Sequence, residues 1–179
     1  MTSPVSCTEP GGNERWLRVS LAAQSLSLMA GERVLQTWSV STARNGPGEL
    51  AGSECTPRGW HVVRACIGDG LPAGAVLRGR RFTGEVCTPE SVAAQPGRDW
   101  ILTRILWLSG LEPGRNRARD DQGRTVDSMR RYIYIHGTPD SEPMGEPRSH
   151  GCVRMRNTDL LTLFPLAPAG TRVLITESL

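Results

Sequence analysis

Residues 131–157, RYIYIHGTPDSEPMGEPRSHGCVRMRN, carry His136 and His150, two of the three histidines, and Cys152, one of five cysteines. A cysteine attacks carbon only as thiolate, so a catalytic thiol needs a base or a positive field beside it. His136 ends an apolar run and is joined to Cys152 by a connection holding Pro139, Pro143, Gly145 and Pro147, which can fold back on itself. That return would bring an imidazole within reach of the sulfur. Gly151, directly before the cysteine, leaves backbone N–H groups unobstructed, as an oxyanion hole requires. The same His136, His150 and Cys152 suit zinc by donor type. Ligands two residues apart in a tight turn are uncommon for zinc, and no second cysteine or carboxylate stands at a typical spacing, so no metal is expected. A lone cysteine or histidine is usually structural; a His-Gly followed by Ser-His-Gly-Cys favours the nucleophile.

The elements that must position this pair are mostly strands. Leu17, Val19 and Leu21, then Leu26 and Leu28, then Val34, Leu35, Trp38 and Val40 alternate around a turn at Gly31, predicting a β-meander with one buried face. Further strands are expected over Trp60–Ala65, within AGAVLRGRRFTGEV as a pair, along DWILTRILWLSG, over Tyr132–Ile135, and in the closing GTRVLIT. NTDLLTLFPL opens on a capping cluster and spaces Leu160, Leu161 and Phe164 along one helical face. Residues 112–130 are polar and charge-rich, expected as a flexible surface loop and a candidate lid. Asp127, Arg130 and Arg131 could lie near the cleft, with a solvated face as their default reading. Trp60, Trp100 and Trp107 are expected in the core, and Cys55, Cys66 and Cys87 as small buried hydrophobes.

With 179 residues, 38% of them hydrophobic, the chain is long enough for one self-sufficient core. A formal charge of +3 is too small to imply nucleic-acid binding. All 21 basic residues are arginine, each a planar fork suited to gripping a carboxylate. No apolar run approaches the roughly 18 residues of a membrane span, so no membrane partner is expected. The opening MTSPVSCTEPGGNERW has no basic n-region and no apolar h-region. An odd number of cysteines without a C-x-x-C pair argues against a disulfide framework. The expected compartment is the cytoplasm, or the periplasm if the true start lies elsewhere.

The stretch resembles the YkuD-type L,D-transpeptidases of bacterial peptidoglycan metabolism, whose signature is His-Gly-Thr, a loop, then Ser/Thr-His-Gly-Cys-apolar-Arg-apolar. Here it reads His136-Gly137-Thr138, then Ser149-His150-Gly151-Cys152-Val153-Arg154-Met155. The opening strands, the Thr56-Pro57-Arg58-Gly59-Trp60 strand entry and the final helix and strand are similar as well, so the likeness covers residues 15–177. It implies a mainly β protein, a mixed β-sandwich with one or two short helices, with residues 1–14 a short extension and 15–179 one catalytic domain.

The resemblance also implies roles. Cys152 would be the nucleophile and His136 the general base. A backbone carbonyl beside the histidine would orient it; Gly137 occupies that place, and its replacement is expected to be tolerated. His150, Gly151 and the Cys152 amide would line the oxyanion site, Ser149 would support the turn, and Arg154 would hold a substrate carboxylate. The competing reading of Arg154 is a bridge to an acidic neighbour, and Thr56-Pro57 reads as a turn rather than a contact. The implied substrates are peptidoglycan stem tetrapeptides or muropeptides, cut between diaminopimelate and D-Ala, with carbapenems as covalent inhibitors and no cofactor. Hydrolysis by an L,D-carboxypeptidase in muropeptide recycling is the favoured outcome. The alternatives are a cross-linking transpeptidase and, from another class, an inactive module that binds wall peptides.

Overall fold

The computed structural model describes residues 10–178; positions 1–9, including Cys7 and most of the expected N-terminal extension, lie outside them. The chain forms one mixed, curled sheet of ten strands. The meander is β1 (Arg15–Ser20), β2 (Ser25–Ala30) and β3 (Arg33–Ser39), paired antiparallel in order. Alternation sends Leu17, Val19, Leu26 and Leu28 inward, as the period of two requires. β3 is the sheet edge, so Val34 and Leu35 stay exposed and only Trp38 of that strand is buried.

β4 (Gly59–Ile67) is followed by the hairpin β5 (Ala75–Arg78) and β6 (Arg81–Val86), then α1 (Pro89–Ala94) and β7 (Leu102–Gly110). α1 was not anticipated, although its signal is legible. Thr88 caps the helix, Pro89 occupies its first turn, and Thr88 and Ser91 exchange the reciprocal bonds of a capping box. The last elements are β8 (Tyr134–Thr138), β9 (Val153–Arg156), α2 (Asn157–Leu163), a 3-10 turn (Phe164–Leu166) and β10 (Arg172–Thr176).

β10 inserts between β1, to which it is parallel, and β4, to which it is antiparallel. The end of the chain thereby joins the meander to the half that carries the site. The sheet curls around α2, whose Leu160 and Leu163 pack with Leu106, Leu108, Ile135, Val153, Met155, Val173 and Ile175. Each such side chain, moved from water into this core, contributes about 1.5–3 kcal/mol. Trp60 and Trp100 are buried, as expected, and Trp107 is half-buried.

Residues 112–130 differ from the expected flexible loop. Asn116 and Ser128 are fully buried. The Asn116 side chain donates to the Arg58 and Trp60 carbonyls at 2.9 and 3.1 Å, and Asp127 accepts from the amides of Ala118 (2.8 Å) and Arg130 (3.0 Å). A charge-rich composition hid these pinning bonds, because Asn and Asp serve backbone groups as readily as solvent. His61, buried in β4, adds another link: its Nε2 lies 2.9 Å from Ser128 Oγ. Cys55, Cys66 and Cys87 are half-buried rather than enclosed.

Candidate active site

β8 and β9 run parallel, with Ile135 opposite Val153 and His136 opposite Arg154. Side chains alternate, so Ile135 and Val153 enter the core while Tyr134, His136, Cys152 and Arg154 share the opposite face. That face is the floor of a cleft of about 530 Å³, also lined by Gly79, Arg80, Asp99, Ile101, Arg131, Tyr132, Ser149 and His150. The structure thus brings His136, Ser149, His150, Cys152 and Arg154 together, with Gly137 and Gly151 in the backbone beside them. β8 begins two residues later than the apolar run suggests: Tyr132 sits at φ +55°, outside the ladder and exposed.

His136 is buried, and its Nδ1 lies 2.7 Å from the Gly137 carbonyl oxygen. A carbonyl only accepts, so Nδ1 carries the proton and Nε2 keeps its lone pair. Burial holds the imidazole below its ordinary pKa, against the smaller opposing pull of Asp99. The Cys152 sulfur accepts from the Tyr134 N–H and donates to the Tyr132 carbonyl, both at 3.4 Å. Burial pushes this thiol up to about 12, although the residue keeps some access to solvent through the cleft. At neutral pH the pair is therefore a neutral thiol and a neutral imidazole.

Gly137 has no room for a side chain. A Cβ there would stand 2.3 Å from Asn157 Oδ1 and 2.7 Å from the Leu102 carbonyl oxygen. The expected tolerance to replacement is therefore corrected: the orienting carbonyl is held by a backbone that only glycine fits. Asn157 donates to the Thr138 carbonyl at 3.0 Å and accepts from Thr103 Oγ1 at 2.5 Å. Thr103 lies in a β7 irregularity opposite His136 and Gly137, at φ +71°. A β-branched residue in the left-handed region is strained, and such strain gathers beside functional sites.

The turn before Cys152 is fastened from several sides. Ser149 Oγ donates to the Cys152 carbonyl at 2.6 Å and accepts the Gly151 N–H at 3.2 Å. Gly151 is at φ +134°, a conformation glycine tolerates. Its carbonyl accepts from Thr56 Oγ1 at 2.9 Å, and Thr56 is fully buried. The Thr56-Pro57 pair is therefore a contact to this turn, not merely a turn of its own. Segment 41–44 completes the clamp: Ser41 exchanges backbone bonds with Arg154, and the Arg44 N–H donates to the Ser149 carbonyl.

Arg154 places its two terminal nitrogens on Asp99 (2.7 Å) and Glu142 (3.3 Å). The acidic bridge weighed in the sequence is thus present, while its buried Nε has no hydrogen-bond partner among the described residues. Asp99 arrives from the turn after α1, anchored by the buried Trp100, and also faces His150 Nδ1 at 3.8 Å. Nothing in the sequence linked Asp99 to the motif. Arg131, expected on a solvated face, is half-buried in the cleft wall and donates to the carbonyls of Gly48 (3.1 Å), Glu49 (2.9 Å) and Cys55 (2.6 Å). No residue of 112–130 lines the cleft. Among the described residues, no three His, Cys, Asp or Glu side chains gather as metal ligands, and no helix is long and apolar enough to cross a membrane.

Fold and site together define a mostly β protein with a cysteine–histidine pair at the floor of an open cleft. The YkuD family profile, the L,D-transpeptidase catalytic domain, matches residues 14–175, and the chain belongs to that family. YqjB of Bacillus subtilis strain 168, named for L,D-transpeptidase activity, is 51% identical over 47 residues, covering 26% of this chain and 27% of that protein. The matched stretch is thus about a quarter of that relative's length. An L,D-transpeptidase structure from Xylanimonas cellulosilytica shares the fold at TM-score 0.53 and 21% identity, covering 94% of this chain and 63% of that one. The fold also matches LD transpeptidase LdtMt1, solved with imipenem, at TM-score 0.51 and 15% identity over 92% of this chain and 60% of that one.

Proposed function

We propose that this chain is a cysteine-dependent acyltransferase acting on peptidoglycan stem tetrapeptides, with Cys152 the nucleophile and His136 the general base. The observation that carries this reading is the fixed tautomer: Gly137 holds the Nδ1 proton, leaving Nε2 as a lone-pair base in the cleft that Cys152 also lines. The thiol proton passes to Nε2 as sulfur adds to the carbonyl carbon of the diaminopimelate L-centre. The tetrahedral adduct collapses, the C–N bond breaks, and the D-Ala amine leaves with the proton from the imidazolium. The Cys152 N–H, beside His150 and Gly151, faces the developing oxyanion; the Gly151 N–H is already given to Ser149. Ser149 keeps the turn in shape. Arg154, held by two carboxylates, reaches a substrate carboxylate only by exchanging one of them.

Water resolving the thioester gives the tripeptide acid and the free thiol, an L,D-carboxypeptidase reaction on muropeptides in recycling. The free thiols of Cys55, Cys66, Cys87 and Cys152 support a reducing cytoplasm as its setting. Cross-linking to a second stem peptide is the second reading. It is favoured by a neighbouring groove, lined by Arg44, Arg98, Trp100 and Arg148, that shares Asp99, His150 and Arg154 with the cleft.

Incubation with diaminopimelate-containing tetrapeptide, free and as muropeptide, with mass spectrometry of the products, tests both. Tripeptide plus D-Ala supports hydrolysis, a dimer supports transfer, and unchanged substrate overturns both in favour of a binding module. A carbapenem should add its mass to the wild type and not to Cys152→Ala.

A further inference from the structure

β5 and β6 are joined by two residues only, Gly79 and Arg80, with Arg78 paired to Arg81. Gly79 is at φ +54° and Arg80 at φ +64°. Two successive positive φ values fit the tight hairpin turn whose twist matches the strands, and its second central position normally carries glycine. An arginine there is strained, because the left-handed region crowds Cβ against the backbone. The hairpin does not need it.

The strained position aims the side chain. The Arg80 guanidinium lies 4.5 Å from the Trp107 ring centroid and 5.2 Å from that of Tyr132, and it donates to Tyr134 Oη at 3.1 Å. These rings restrict the rotamers of a long side chain before any ligand arrives. Among the described residues no carboxylate forms an ion pair with Arg80, and one hydrogen bond leaves most of its five donors for a ligand. Arg131, which lines the same cleft, is held by carbonyl oxygens and a serine hydroxyl rather than by an acid. Arg154 is already matched by Asp99 and Glu142. Among the described residues, the cleft above Cys152 therefore carries two cations that form no ion pair with a carboxylate, although Glu49 adds a Coulombic pull on Arg131.

We infer that Arg80 is a specificity-determining residue that grips a free carboxylate of the donor peptide, with Arg131 adding positive field within the same cleft. This deepens the functional reading above and rests on it for the identity of the peptide. A planar guanidinium takes a carboxylate through two parallel N–H bonds, while the neutral carboxamide of an amidated peptide loses the charge and one acceptor.

The test uses the full chain, the free-acid tetrapeptide and a set of its mono-amides, each with one carboxylate converted to carboxamide. In the wild type, one mono-amide should raise KM about tenfold or more with kcat little changed. Arg80→Gln should raise KM for the free acid similarly and lose the discrimination between acid and amide; Arg80→Lys should recover part of it. Arg80→Gly, which relieves the strained turn, should melt no lower than the wild type yet show the same KM defect. Calorimetric binding of the same peptides to Cys152→Ala, with and without Arg80→Gln, separates the two proposals. Arg80-dependent binding without turnover would overturn the catalytic reading alone. Equal acid–amide preference with and without Arg80, or no binding of any of these peptides, would overturn this one.

Discussion

The Thr56 hydroxyl donates to the Gly151 carbonyl at 2.9 Å, tying the strand entry before β4 to the residue preceding Cys152. The same oxygen accepts the Ala43 N–H at 3.0 Å, so one buried side chain joins three segments of the site's wall. Two buried backbone groups, the Gly151 carbonyl and the Ala43 N–H, depend on it.

Thr56→Val keeps the shape and removes both bonds. It should destabilise the protein by about 1–3 kcal/mol for each buried group left unpaired. Chemical denaturation measures the loss, and slower acylation of Cys152 by a carbapenem reads the turn itself. Thr56→Ser should restore most of both. If Val and Thr behave alike, the tie has no role.

Gly137→Ala places a methyl group against Asn157 Oδ1 and the Leu102 carbonyl. The backbone must move, and the carbonyl that fixes the His136 tautomer moves with it. A loss of turnover of about 100-fold or more is expected, since misaligned catalytic geometry carries penalties of that order. Turnover near wild type would refute the crowding argument.

The neutral pair predicts an unusual labelling profile. With the Cys152 thiol raised to about 12, iodoacetamide modification should climb steadily from pH 7 to pH 10 without a plateau near neutrality. The acid limb of kcat/KM should fall below the ordinary histidine value of about 6.5, because burial lowers His136. A labelling plateau at pH 6–8 would instead reveal a thiolate–imidazolium pair.

His61 makes stability depend on pH. Its Nδ1 donates to the Gly59 carbonyl, its Nε2 accepts from Ser128, and burial lowers it to about 4. Above about pH 6.5 both folded and unfolded chains hold it neutral, and its contribution is complete. Between 6.5 and 4 the unfolded chain binds the proton first, so stability falls as the medium acidifies, by an order of 3 kcal/mol across the window. Denaturation midpoints between pH 4 and 7 measure the slope. His61→Gln should be less stable at neutral pH and should flatten that slope; an unchanged slope would exclude His61 as its source.

Much of the fold was legible because burial imposes a simple period. Leu17, Val19, Leu26 and Leu28 could face a core in only one register, and Leu160 with the helix that carries it could only be amphipathic. Where one residue's conformation overrides its type, the reading failed. Tyr132 is a strong β-former that leaves the ladder at positive φ, and Val34 and Leu35 are apolar yet fall on an edge.

The site divides in the same way. That His136, Gly151 and Cys152 lie together was readable because a thiol, an imidazole and glycine are packed into one short stretch, and the closing turn needed only glycine and proline. Asp99, Thr56 and Arg80 were not, since each reaches the cleft from a distant segment through pairing registers and turns that no local pattern encodes. The titration ranges were likewise beyond the sequence. A free thiol and a free imidazole are already largely uncharged at neutral pH, and burial in the folded protein moves the thiol up and the imidazole down, widening the range over which both rest uncharged.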